Sequence, residues 1–256
     1  MPSPMNRLAL SFVACLPFLA GCSLPAFRAK RTVEFAVPAP QLTALFCESH
    51  NGGITVQGRK QGDEVKIKAE LSVGGTTQRE ADDNVQLLEV ATEWQGGTLR
   101  VFGKFPQQDL GRMSPGFTFW IDAPEQVALD CTSHNGGITA EAVRGDQKLV
   151  THNGSLRSEV HGGRAHLVTH NGNVKVDFAT AGPVQGNVES HNGSIEATFA
   201  AGCRATLEAS TANGSVTSKL PLQEMESKRN RMSGKLGDGG EGKLVLSSHN
   251  GSVNLR

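Results

Sequence analysis

Apolar residues recur along this chain with two periods, one nested in the other. The short period is two: Val33, Phe35 and Val37 alternate with polar or small neighbours, and so do residues 65–73 and 117–123. That alternation predicts half-buried strands. Thr77 with Glu80 three residues on is a capping box, and Ala81, Val85 and Leu88 follow at i, i+4 and i+7, which predicts one short amphipathic helix. Residues 89–94 and 98–104 read as two further strands joined at Gly96-Gly97, and residues 105–116 as a loop.

The long period is set by an Asn-Gly pair. The heptapeptide Ser-His-Asn-Gly-Gly-Ile-Thr occurs at 49–55 and at 133–139, and looser copies place turn asparagines at Asn153, Asn171, Asn192, Asn213 and Asn250 after Asn51 and Asn135. From Asn135 they step by 18, 18, 21, 21 and 37 residues. Three places after each Asn stands an aliphatic residue (Ile54, Ile138, Leu156, Val174, Ile195, Val216, Val253). Two places before it stands Ser or Thr in every copy, and four before it Cys47, Cys131, Leu149, Leu167, Val188, Ala209 or Leu246. A second turn lies midway between successive Asn-Gly pairs, as at Arg144-Gly145 and His161-Gly162-Gly163.

Self-similarity at this period marks a repeat architecture. Asn-Gly between strands is also a hairpin signal, so an antiparallel meander is the rival reading. A meander gives no reason to keep hydroxyl and Asn in one phase, whereas a solenoid does, because equivalent residues stack about 4.8 Å apart and can bond along the ladder. The favoured fold is therefore all-β: a parallel β-helix or solenoid with two-strand rungs of 18–21 residues, filled by its own side chains. Cys47 and Cys131 share a template position, so the rung at 46–58 is expected to stack on the rung at 130–142. Residues 59–129 then become a lateral strand-helix-strand insertion, and 130–256 the repeat array.

The start of the chain differs in kind. Arg7, an apolar run over residues 8–20 and Leu19-Ala20-Gly21-Cys22 make residues 1–21 a signal peptide, too short to span a bilayer, which takes about 20 apolar residues. Leu-Ala-Gly-Cys resembles the lipobox of bacterial lipoproteins. The resemblance implies that Cys22 is acylated, as with palmitate, and becomes the mature N-terminus, with 22–31 a lipidated tether and 32–256 a single domain. Ser23 is not the Asp that retains some lipoproteins in the inner membrane, which points to the outer membrane of the cell envelope.

Composition narrows the function. The 25 Lys and Arg balance 25 Asp and Glu, so nothing steers the chain toward nucleic acid. Tyrosine is absent and there are 2 Trp, against an aromatic platform for sugars. Acidic residues are scattered over outward positions with no recurring pair, so no catalytic residues are expected and no cofactor is implied. Four Asn-Gly-Ser triplets match the glycosylation pattern but follow from the turn repeat. Residues 225–243, with Lys228, Arg229, Arg231 and Lys235 among glycines, read as a solvated mobile loop.

These features together resemble the bacterial putative-adhesin family of uncharacterised function with tandem β-strand repeats, over residues 32–256. The resemblance implies a right-handed parallel β-helix and an envelope location, with no activity. The expected function is a non-enzymatic envelope lipoprotein, structural or adhesive, held to the membrane by its lipid and presenting its surface to an envelope protein or glycan. The alternative uses the histidines before the turn: His50, His134, His152, His170, His191 and His249, with Ala212 as the one exception. Alternation puts them outward in a column, with His134, His152, His170 and His191 the candidate metal ligands or pH sensors and Ala212 a break in the column.

Overall fold

In the computed structural model the described residues are 27–60, 62–106 and 114–256. Residues 1–26, with the expected signal peptide and Cys22, lie outside them. In chain order the elements are β1 (Phe27–Pro38), β2 (Ala44–Asn51), β3 (Ile54–Arg59), β4 (Glu64–Gly75), α1 (Gln78–Val85), β5 (Glu89–Gln95), β6 (Thr98–Lys104) and β7 (Gly116–Pro124). The array follows as β8 (Ala128–Asn135), β9 (Ile138–Val143), β10 (Gln147–Asn153), β11 (Leu156–Val160), β12 (Arg164–Asn171), β13 (Val174–Phe178), β14 (Gly182–Pro183), β15 (Gln185–Asn192) and β16 (Ile195–Phe199). The C-terminal part holds β17 (Cys203–Asn213), β18 (Val216–Ser218), β19 (Leu222–Lys228), β20 (Arg231–Leu236), β21 (Lys243–Asn250) and β22 (Val253–Leu255).

Two sheets face each other. The chain runs up one strand of the second sheet, turns at Asn-Gly, and runs along a strand of the first. The first sheet has the order β1-β4-β7-β3-β9-β11-β13-β16-β22-β18, the second β19-β20-β17-β21-β15-β12-β10-β8-β2-β6-β5. Successive rungs of the array pair in parallel, with equivalent repeat positions aligned and one register shift between β9 and β11: Asn153 lies between Asn135 and Asn171, and Leu156 between Ile138 and Val174. The meander is therefore excluded. Between the sheets the aliphatic columns meet, with Leu149, Leu167, Val188 and Leu246 facing Ile138, Val174, Ile195 and Val253, all buried.

The stacking explains why glycine follows each asparagine. A Cβ at Gly136, Gly154, Gly172, Gly193, Gly251 or Gly214 would fall 2.0–2.3 Å from the glycine carbonyl oxygen of the neighbouring rung. Only one of the seven Asn-Gly glycines, Gly52, has positive φ, so close backbone approach sets the residue type at the other six.

Four sequence expectations are corrected. Cys47 does pair with Cys131, but residues 59–129 are not wholly a lateral insertion. β6 pairs parallel with β2 and β7 parallel with β3, so these two strands form a full rung on the far side of β2-β3. Its inward Leu99, Val101, Phe119 and Ile121 are buried like those of any rung. It carries no Asn-Gly signature because the segment between β6 and β7 is longer than the tight turn. Of this segment, β4 and β5 instead extend the two sheets beyond β7 and β6, both antiparallel to those neighbours, with α1 between them in sequence.

The tether is also shorter than expected: residues 27–31 already belong to β1, paired antiparallel with β4 through Val73, Ser72 and Leu71. The segment taken as a mobile loop is largely a hairpin. β19 and β20 pair antiparallel, and β20 pairs with β17 while burying Met232 and Leu236.

The fourth correction concerns rung order. β21 pairs with β15 on one side and β17 on the other, and β22 likewise lies between β16 and β18. The last rung in sequence is thus the next-to-last in space. The fork is at Gly242, where a Cβ would lie 2.6 Å from the carbonyl oxygens of both Arg204 and Val184.

Candidate functional site

Every array strand of the second sheet but one ends in Ser/Thr-His-Asn, and alternation sends the three side chains to different jobs. The hydroxyl points inward, is buried, and donates to the turn-glycine carbonyl of the neighbouring rung. Ser133 donates to Gly52 (3.0 Å), Thr151 to Gly136 (2.8 Å), Thr169 to Gly154 (2.8 Å), Ser190 to Gly172 (2.9 Å), Ser248 to Gly193 (2.8 Å) and Thr211 to Gly251 (2.7 Å). The asparagines form one amide ladder. Each Nδ2 donates to the neighbouring Oδ1 at 2.7–2.8 Å, from Asn213 through Asn250, Asn192, Asn171, Asn153 and Asn135 to Asn51. Asn51 ends it on the carbonyl of Pro115 at 3.1 Å. The ladder lies at the surface, and the half-buried corner carbonyls are satisfied by the hydroxyls instead.

The histidines stand outward between these two ladders. Ring centroids are 4.9 Å apart for His50–His134 and His134–His152, 4.8 Å for His152–His170, 4.6 Å for His170–His191 and 4.7 Å for His191–His249. Interplanar angles run from 1° to 14°. The rung insertion has a direct consequence here. Because His249 stacks on His191, Ala212 falls beyond the end of the column and does not interrupt it. All four candidate ligands are brought together, and His50 and His249 extend the row to six imidazoles.

The column forms one wall of an open groove of about 700 Å³ that crosses six rungs. Its floor is the outward position two residues earlier: Glu48, Thr132, Val150, Val168, Glu189 and Ser247. Carboxylates are therefore present near both ends, which sequence spacing did not single out. A second hollow of about 610 Å³ adjoins at the His50 end and adds Phe102, Phe105 and Phe117. The His170 imidazole is held below its ordinary value, first by lost hydration between its neighbours and then by repulsion from His191 and His152. Among the described residues, no group of three or more His, Cys, Asp or Glu is gathered closely enough to hold a metal ion as it stands.

Elsewhere the outward charges are engaged across rungs. Lys148 meets Asp130 at 3.0 Å, Arg157 meets Glu141 at 3.4 Å, and Glu196 takes Lys175 at 3.7 Å and Arg256 at 3.3 Å. The thiols of Cys47, Cys131 and Cys203 are free and buried. Burial, then the charge of Asp130, pushes Cys131 up to about 12, and burial raises Cys47 and Cys203 in the same direction.

Fold and site together define an all-β repeat protein whose parallel strands are stacked in two facing sheets, with its built features on the outside. The chain belongs to the family described as Toastrack DUF4097, whose model matches residues 16–256. Among solved structures it is similar to a "putative cell adhesion protein" from Clostridium sporogenes, at 12% identity and a TM-score of 0.53 over 89% of this chain and 99% of that one. Weaker likenesses are a "putative adhesin" from Bacteroides fragilis (12% identity, TM-score 0.33, 89% and 98% covered) and a "putative lipid binding protein" from Parabacteroides distasonis (11%, 0.37, 88% and 96%). No curated protein matches the chain.

Proposed function

We propose that this chain is a non-enzymatic lipoprotein of the cell envelope that presents the outer face of its second sheet to a protein or glycan. In this reading Cys22 carries the lipid, the outer membrane is the location, and the coil is right-handed. The observation that carries the proposal is the contrast between a filled interior and an open, straight groove along six rungs. Every rung spends its inward side chains on the core, so a ligand has only the outer faces to meet. The groove joins a polar wall of histidines to an apolar end at Phe102 and Phe105, the mixture of anchor and rim that contact surfaces use. Family membership and the likeness in fold to the cell adhesion protein agree with this reading.

Two experiments test it. Cells expressing the chain and its Cys22→Ser variant are fed a palmitate analogue; label on the first alone is expected, and an unlabelled parent chain would remove the lipoprotein claim. A photo-crosslinking residue is then placed at Val150 or Val168 in the groove floor, or at Lys175 on the opposite sheet. Adducts in intact cells are expected from the groove positions, and adducts from Lys175 alone would move the binding face.

A further inference from the structure

We propose that the histidine column is a linear site for divalent transition-metal ions of the zinc and copper class, each taken up between two imidazoles on neighbouring rungs. The proposal stands apart from the adhesive reading, since it needs only the column and not a macromolecular partner.

The donors are the right ones and they are unspent. Imidazole nitrogen suits zinc and copper. None of the six column rings makes a hydrogen bond to another described side chain or backbone group, so their nitrogens face solvent with nothing to displace but water.

Geometry fixes how the ion enters. A nitrogen lone pair lies in its ring plane, and parallel planes share no point, so an ion on the lone pair of one stacked ring lies out of the plane of its neighbour. The stacked and ligated arrangements are therefore exclusive. Two rings must tip toward each other until one nitrogen from each is about 3.3 Å apart, the separation that tetrahedral coordination sets. The rung spacing allows this, because the rings are exposed.

A ring that tips toward one neighbour leaves the other. The column then divides into His50/His134, His152/His170 and His191/His249, which sets a ceiling of three ions per chain. The pairs are unequal. Glu48 lines the groove beside His50 and Glu189 beside His191, whereas Val150 and Val168 lie beside the central pair. The two outer pairs can recruit a carboxylate as a third ligand and should fill first.

The test is calorimetric titration of the chelator-stripped, detergent-purified full chain carrying Cys22→Ser, with Zn²⁺ and then Cu²⁺ at about pH 7.5, where imidazole is neutral. Micromolar uptake of two ions, with a weaker third, is expected. His50→Gln with His191→Gln should remove the two tight sites, while His161→Gln with His166→Gln, both outside the column, should leave the isotherm unchanged. Far-UV circular dichroism checks that each variant is folded. Electron paramagnetic resonance of the Cu²⁺-loaded parent chain needs no variant and should show two imidazole nitrogens per ion. Binding no tighter than millimolar, an isotherm indifferent to the column variants, or a copper spectrum without nitrogen coupling would each overturn the proposal. Repeating the groove crosslinking in chelator separates the two readings: adducts that persist without metal keep the adhesive function whatever the calorimetry gives.

Discussion

The hydroxyl two places before each turn asparagine is buried and, as at Thr151, donates to a half-buried carbonyl, whereas the asparagine amide that follows is open to solvent. Their contributions to stability should differ accordingly. Thr151→Val leaves the half-buried Gly136 carbonyl without its hydroxyl donor and should cost about 1–2 kcal/mol, the loss of a hydrogen bond made by a buried donor. Asn153→Ala, which water can replace, should cost about 1 kcal/mol or less. Urea unfolding of the two variants checks the order; a larger loss for Asn153→Ala would move the load to the amide ladder. The sequence repeat showed both residues in phase but could not rank them, since phase does not report depth. The thiols give a second test at this scale. With Cys47 and Cys131 buried and shifted upward, neither should react with a thiol reagent at mildly alkaline pH until denaturant is added.

At the scale of the strand, the histidine column and the fork at Gly242 decide how rungs associate. With its imidazole held below the ordinary value, His170 resists protonation in the fold. The unfolded chain takes up this proton first, near the usual imidazole value, so stability should fall as pH drops through about 6.5 and keep falling until His170 protonates in the fold. The melting temperature of the parent chain should therefore drop more between neutral and mildly acidic pH than that of His170→Asn. At the fork, Gly242→Ala presses a methyl group against two carbonyls and should destabilise by about 1–3 kcal/mol, seen as a lower urea midpoint. The individual strands of the array were legible because a period of two and an Asn-Gly turn are local signals. The β6-β7 rung was not, because its connection lacks the turn that marks the others. The β19-β20 hairpin was hidden by its glycines: Gly234 stands where its strand passes Leu222, a packing reason that composition alone reads as a loop.

For the whole molecule, the ends matter as much as the repeat. An open stack of parallel rungs would expose unpaired strand edges to other chains. Here β1 and β4 close the first sheet at one end and β5 the second, all antiparallel to the strands they cover. The β19-β20 hairpin closes the other end of the second sheet, with a register shift after Gln223 and a positive φ at Glu224 that spoil its outer edge. Between these caps the chain does not stack in sequence order. The 37-residue step from Asn213 to Asn250 was the visible sign of an irregularity, yet sequence could not say which side of β17 the last rung would take. That choice makes the histidine column continuous, and the groove with it.

Rung order is thus the claim on which the site depends, and paired cysteines read it directly. Glu189 and Ser247 are register partners on adjacent parallel strands, about 4.8 Å apart, within the Cα range that a disulfide allows. Glu189 and Ser210 lie two strands apart, at about 9.6 Å, beyond that range. On mild oxidation, followed by mass spectrometry of the linked peptides, Glu189→Cys with Ser247→Cys should crosslink and Glu189→Cys with Ser210→Cys should not. The reverse result would restore sequence order, put Ala212 inside the column, and contradict the unbroken groove.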